Sequence, residues 1–367
     1  MKKRSFRIET LSPECWDKVL LEKILSKFRR KKILVVGDVG VDRYTLGSVE
    51  RISPEAPVPI VLVEEEKLKL GLAANVADNI RALGAIPLLV GVVGKDRGAE
   101  DFRALLKASG VKSSHLVVDS SRRTVLKERV VSERQQLLRI DYESQHSIHA
   151  DIEEKIRKKV EDLVLGIHSK NGSKEKSQNM SKDGAKVKVD GIIVEDYAKG
   201  GLTKTLLASI FEIAKRAGIW VAVDSNLKTP PENYRGASIL TPNTKEAEHL
   251  SGVMIRNEDT LLEAGSRILK LTGVSHLAIT RGKEGMALFT RGNPVVRLIP
   301  TFAQEVYDVS GAGDTVISVL CLSLTTGASL EDASILGNLA AGIEVGKRGT
   351  ATVSPDEIRT ALSIICG

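Results

Sequence analysis

The sequence predicts an α/β fold: a doubly wound sheet flanked by helices, with a small β-sheet lid standing off it. Two observations point there. Short β-branched runs alternate with helical patterns along most of the 367 residues, and a block of extended, alternating stretches interrupts that rhythm with no helix between its last two members. The length suits either two average domains or one large α/β domain with additions.

Residues 1–32 read as a basic N-terminal arm carrying an amphipathic helix. Ser12 suits a cap, Pro13 the first helical position, and Trp16, Val19, Leu20, Ile24 and Phe28 recur at helical spacing before the basic run 29–32. Residues 33–367 then read as the main domain. Ile33–Val36, ending at Gly37, predicts a buried strand, 72–83 a helix, 86–93 another apolar run and 96–110 a helix. The stretches 58–63, 124–131 and 137–140 alternate, which predicts the lid from segments at about 43–70 and 115–142. Helical spacing over 152–165 leads into a Lys-, Ser-, Asn- and Gly-rich tract at about 168–190, expected as a mobile surface insertion. The rhythm resumes with strand 192–194, helix 202–217, and strands 219–223 and 239–240. Helix 261–271, strands 277–280, 286–289 and 295–299, and helices from Asp314, Leu330 and Pro355 complete it.

Composition excludes several classes. With 42% hydrophobic and 28% charged residues the chain is globular, neither disordered nor fibrous. The formal charge of +7 invites a nucleic-acid reading, but residues 1–32 carry a net +7 and 168–190 a net +3, which leaves the body at −3. A basic arm and a basic insertion on a slightly acidic globule give little support to a DNA-reading surface, and no nucleic-acid partner is expected. Cys15, Cys321 and Cys366 are too far apart for a paired thiol motif and read as reduced thiols of a cytoplasmic protein. No run of 18 apolar residues exists and the Lys-rich start leads into no apolar segment, so neither a span, a secretory signal nor stable membrane association is expected.

The chemistry concentrates in DVSGAGDT, Asp308 to Thr315, ahead of an apolar helical run. Gly311, Ala312 and Gly313 at a helix entrance let backbone N–H groups converge on an anion, and the helix dipole adds about half a positive charge there. Asp314 is the odd element, since a carboxylate repels phosphate. It fits if it takes a proton from an attacking hydroxyl while the amides hold a transferring phosphoryl group. Its ordinary alternative is a capping acid after a glycine turn.

The GAGD run resembles the second signature of the ribokinase-like (PfkB) carbohydrate kinases, and other segments fall in that family's order. GDVGVD (37–42) resembles its first-strand motif, GLAANVADN (71–79) its sugar-binding segment, NTKE (243–246) its NxxE motif and TRGKEG (280–285) its TxGxxG nucleotide loop. RISPEAPVPIV (51–61), QQLLRIDYE (135–143), EDYAKG (195–200), YRGASILTPN (234–243) and RGTATVSP (348–355) look like the D-glycero-β-D-manno-heptose 7-phosphate kinases.

The resemblance implies a ribokinase-like fold and transfer of phosphate from ATP to the anomeric hydroxyl, giving the 1,7-bisphosphate for ADP-heptose synthesis. It implies Asp314 as general base and Gly311, Ala312 and Gly313 as the anion hole. Asp42, Gly71 and Asn75 would hold the sugar, Asn243, Thr280, Gly282 and Gly285 would bind nucleotide, and Asn243 and Glu246 would reach Mg²⁺, through water. It further implies a homodimer paired through the accessory sheets. The chain shows no HxGH motif and resembles the stand-alone kinase, so a separate nucleotidylyltransferase is expected downstream. One departure stands out: the family's paired glycines become Gly71 and Leu72, and leucine resists positive φ.

A sugar phosphate needs cations for its distal phosphate. Lys199 leads, because glycines follow it just past a strand end, with Arg139 and Arg129 across the proposed lid. Each of these residues has an ordinary alternative: a turn for Asp42, a capping box for Asn243 and Glu246, a solvated charge for the cations. His146 and His149 read as loop or helix surface, since no further ligand motif accompanies them. Three rival functions remain: a kinase for fructose phosphate, a pentose or another sugar; a weakly catalytic sensor of sugar phosphate or nucleotide; and a binder of anionic surfaces or nucleic acid through the arm and the insertion.

Overall fold

The computed structural model describes residues 6–133, 135–166, 189–303, 306–347 and 351–366. Most of the expected insertion and the first three residues of RGTATVSP lie outside the described residues.

The main sheet has nine strands, built from β1 (Arg7–Thr10), β2 (Lys32–Gly37), β5 (Ile86–Val90), β10 (Gly191–Glu195), β11 (Trp220–Asp224), β12 (Ile239–Leu240), β13 (His276–Thr280), β14 (Met286–Thr290) and β15 (Val295–Ile299). Their order is β1-β15-β14-β13-β12-β11-β10-β2-β5, parallel throughout except that β14 runs against both neighbours. Each buried run sorts its side chains by twos. Ile33, Val35, Ile193, Ala222 and Ala278 enter one core, while Leu34, Val36, Ile192, Val194, Val221 and Val223 enter the other.

The first core packs under α1 (Lys18–Ser26), α2 (Ala73–Ala82), α3 (Arg97–Ala108), α8 (Ala312–Thr325), α9 (Leu330–Glu344) and α10 (Pro355–Ile365). The second packs under α4 (Ala150–Leu165), α5 (Lys204–Ala217), α6 (Thr244–Ser251) and α7 (Glu258–Thr272). Chain order reverses between β2 and β10, the switch point beside which open α/β sheets bind ligands. Register brings Gly37, Glu195 and Asp224, the last residues of three adjacent strands, side by side.

The lid is a separate four-stranded sheet ordered β4-β3-β8-β9, from β3 (Val39–Ile52), β4 (Pro59–Leu72), β8 (Val125–Ser132) and β9 (Gln135–Tyr142). The short strands β6 (Val92–Val93) and β7 (Val117–Val118) pair near its root. The 43–70 and 115–142 segments expected for it contribute to these elements, and β3 starts directly after β2, so the lid grows out of the switch point.

The N-terminal stretch differs from expectation in two respects. Its helix is capped by Asp17, whose carboxylate accepts from the Leu20 amide at 3.0 Å, whereas Ser12 precedes a single 3₁₀ turn over Pro13–Cys15. The buried stripe is accordingly Leu21, Ile24, Leu25 and Phe28, with Val19 76% exposed. Ahead of it, Arg7–Thr10 runs along β15 from Arg7 opposite Val295 to Thr10 opposite Leu298. A four-residue strand in polar sequence carries no period of its own, and its partner lies almost the whole chain away.

Candidate active site

α8 starts at the switch point. Gly311, with φ 99°, turns the chain in the left-handed region that favours glycine, and the helix begins at Ala312. Its first-turn amides have no acceptor within the helix and carry the positive end of its dipole. The Ala312 amide donates to the Val309 carbonyl at 3.4 Å, and a glycine turn entering a helix is an arrangement that can receive an anion.

Asp314 is buried one position further on. Its carboxylate accepts from the Asn75 side-chain amide at 2.6 Å and from the Tyr197 hydroxyl at 3.1 Å. Burial pushes its carboxyl up to about 6, and those two hydrogen bonds oppose the rise. Its two hydrogen bonds favour the charged form against burial, which leaves a carboxylate placed to accept a proton. Asn75 reaches it because α2 packs against α8, with Asn79 and Thr315 joined one turn along at 3.3 Å.

Carboxylate oxygens of Glu195, Asp224 and Asp314 lie within 4.8 Å of one another. Among the described residues, both oxygens of Glu195 are buried without a hydrogen-bond partner. Burial first, then the charges of Asp224 and Asp314, drives the Glu195 carboxyl far above the ordinary range; burial, Glu246 and Asp314 do the same to Asp224. Three such groups at a strand-end crevice form a hard, all-oxygen donor set suited to a divalent cation. Sequence reasoning missed Glu195 and Asp224. The available signal was an acid closing each of the apolar strands IIVE and VAVD.

Asn243 and Glu246 form a reciprocal capping box at the start of α6, with bonds of 3.0 and 2.9 Å. The ordinary role is thus real, and Glu246 is also the foremost charge acting on Asp224. Asn243 bridges to Thr280 at the head of the 280–285 loop. Gly285, at φ 79°, passes so close to Ile299 that a Cβ would lie 1.9 Å from its carbonyl oxygen; Gly282 has φ 56°. Four of the expected nucleotide-side residues, Asn243, Thr280, Gly282 and Gly285, therefore share one loop pair.

On the lid side, Asp42 accepts from Arg129 at 2.7 Å, and the guanidinium lies 5.3 Å over the Tyr44 ring. Gly71 leaves room for this carboxylate: a Cβ there would be 2.8 Å from Asp42 Oδ2. Leu72 takes φ 57°, ψ −141° despite its side chain and is buried, so the chain keeps the glycine-type turn without the glycine. Lys199 pairs with Glu143 at 2.5 Å, and its backbone amide donates to Asp38 at 2.9 Å. Arg139 grips Asp141 through two bonds of 2.8 and 2.9 Å on a half-exposed side chain, directly across from Arg129. His149 is the residue preceding α4, and the carboxylate cluster includes neither histidine.

Residues 30–357 match the model of the pfkB family carbohydrate kinases. The chain belongs to that family. Its fold agrees: a ribokinase from Arabidopsis thaliana complexed with ribose and ATP superposes with a TM-score of 0.68 at 18% identity, covering 91% of this chain and 99% of that one. Phosphofructokinase-2 from Escherichia coli in complex with potassium gives 0.71 at 18% identity, over 92% and 99%. Among curated relatives, the bifunctional protein HldE of Geobacter metallireducens is 43% identical over 338 residues, and that of Sodalis glossinidius 42% over 338; each alignment covers 92% of this chain. The chain spans 64% of the length of either relative. Among the described residues no helix is long and apolar enough to cross a membrane.

Proposed function

We propose that this carbohydrate kinase transfers the γ-phosphoryl group of ATP to the anomeric hydroxyl of D-glycero-β-D-manno-heptose 7-phosphate, giving the 1,7-bisphosphate, a step of ADP-heptose synthesis. The observation that carries the reading is Asp314: a buried carboxylate in the first turn of a helix entered through a glycine turn, hydrogen-bonded to Asn75 and Tyr197. The heptose segments of the sequence and the relatives named HldE narrow the sugar.

The hydroxyl proton passes to Asp314, the sugar oxygen bonds to the γ-phosphorus, and the bond from that phosphorus to the ADP oxygen breaks. The amides of Gly311, Ala312 and Gly313 stabilise charge on the transferring group. Asp42 and Asn75 orient sugar hydroxyls, and Lys199, Arg129 and Arg139 favour a phosphorylated substrate. The 280–285 loop flanks the nucleotide. Mg²⁺ fits the orphaned oxygens of Glu195 together with Asp224, with Asn243 and Glu246 beyond; when bound, it neutralises phosphate charge.

Closure of the lid would exclude water from the transfer. A homodimer paired through the lids is supported by the exposed Ile52, Val58, Leu62, Val63 and Leu138 on lid strands or their connection. A cytoplasmic location follows from the nucleotide and sugar phosphate, and a nucleotidylyltransferase would consume the product. Product analysis by ³¹P NMR over heptose 7-phosphate, fructose phosphate and pentoses tests the reading. A new anomeric phosphate made from the heptose supports it; phosphate on another carbon or preference for another sugar overturns the substrate, and absence of turnover leaves the sensor.

A further inference from the structure

The loop 196–201, between β10 and α5, is held from several sides at once. Ala198 takes φ 52°, a left-handed conformation that alanine adopts only under constraint. Gly200 takes φ 83°, and a Cβ there would lie 2.2 Å from the His146 carbonyl oxygen. Asp196 anchors the start of the loop: one oxygen accepts from the Ala198 amide at 2.9 Å, the other from the hydroxyls of Thr229 and Tyr234 at 2.6 and 2.8 Å. Buried Asp38 accepts from the amides of Lys199 and Gly201 at 2.9 and 3.0 Å. Buried Arg122 holds Lys199 by its other end, Nη2 donating to the Lys199 carbonyl at 2.5 Å and to the Ser144 carbonyl at 3.4 Å.

These two side chains gather the roots of all four lid strands onto the loop. Asp38 immediately precedes β3, and its carbonyl accepts from the amide of Ala73, the residue after β4, at 3.0 Å. Arg122 lies three residues before β8 and Ser144 two residues after β9. The Ser144 hydroxyl accepts from the Arg123 amide at 3.1 Å, and the Gly200 carbonyl from the Ile148 amide at 2.9 Å. Among the described residues no carboxylate forms an ion pair with Arg122, and its Nη1 is buried without a hydrogen-bond partner. A buried guanidinium directed at two carbonyls is a poor device for stability, so what it supplies is placement. The loop so placed carries Tyr197, whose hydroxyl donates to the Asp314 carboxylate at 3.1 Å.

We propose that Arg122 is a positioning residue for the transfer: by fixing Lys199 between the lid roots and Asp38 it sets Tyr197 against Asp314, so that the seating of the lid and the aim of the base form one arrangement. This deepens the reading of Asp314 given above and rests on it. Sequence reasoning passed over Arg122, because an arginine ahead of a strand carries no signal until its carbonyl partners are seen.

The test is a double-mutant cycle on kcat with heptose 7-phosphate and ATP: wild type, Arg122→Ala, Tyr197→Phe and the two together, with melting curves for each. Misaiming the carboxylate by a fraction of an ångström should lower kcat about 10- to 100-fold in Arg122→Ala, with KM for ATP within about twofold. Tyr197→Phe should lose about as much, and the double variant no more than about threefold beyond the worse single. Arg122→Lys should recover part of the loss, since an ammonium can still donate to a carbonyl. Should Arg122→Ala not fold, Arg122→Gln takes its place in the cycle. Losses that multiply in the double variant overturn the proposal and leave the reading of Asp314 intact, because Arg122 then acts without Tyr197. Wild-type kcat in the folded variant, or an equal rise in KM for ATP that marks general loosening, overturns it in the same way. Near-normal turnover by Asp314→Asn, measured alongside, overturns the reading of the base and this proposal with it.

Discussion

Asn75 and Asp314 stand 239 positions apart in the chain and meet in one buried hydrogen bond of 2.6 Å. The amide of Asn75 orients the carboxylate and favours its ionised form against burial. Replacing Asn75 with Leu removes that donor at nearly constant volume. kcat should fall about 10- to 100-fold while ATP affinity stays within twofold, as measured by steady-state kinetics and nucleotide titration. Unchanged kcat would show that Asp314 needs no such partner.

Gly71→Ala places a Cβ 2.8 Å from Asp42 Oδ2 and forces the carboxylate off its Arg129 contact. Displacing a sugar-orienting group by a fraction of an ångström should raise KM for the sugar about tenfold or more. KM for ATP should not follow, because the nucleotide-side residues lie on other loops.

At Leu72 the usual order of substitutions should invert. Both Ala and Gly lose the buried side chain, a cost of about 2–5 kcal/mol. Ala additionally keeps the strain of φ 57°, which Gly escapes. Urea unfolding should therefore find Leu72→Gly at least as stable as Leu72→Ala, by about 1 kcal/mol, and the ordinary order would show that the turn rearranges.

Glu344 gives a pH signature. Its side chain is buried, and burial first raises its carboxyl to about 7; the Ala351 amide opposes this, and the charges of Asp308 and Asp314 add to it. The folded chain thus holds this proton to a higher pH than the unfolded chain. The stability it contributes is full below the ordinary carboxylate range and is lost as pH rises through about 7. Wild type should lose a few degrees of melting temperature between about pH 5 and 8 that Glu344→Gln retains. Parallel curves for the two proteins would contradict this.

The sheet was legible because parallel strands buried on both faces are written as unbroken apolar runs such as ILVV and GIIV, which need no partner to be recognised. Asp314 was legible because GAGD states both a glycine turn and an acid at a helix start. Glu195 and Asp224 were not, since an acid closing a strand resembles any turn residue until register sets the two side by side. Arg7–Thr10 shares that difficulty: the edge strand acquires meaning only from β15.

The central claim is that Asp314 is the base for phosphoryl transfer to a sugar, and turnover of Asp314→Asn with heptose 7-phosphate and ATP, alongside its affinities for both, tests it most directly. The amide keeps the size of the side chain but cannot accept the hydroxyl proton. The expected result is a rate lower by about 10²- to 10⁴-fold with both substrates still bound. Near-normal turnover by a variant that binds ATP and sugar would contradict the assignment.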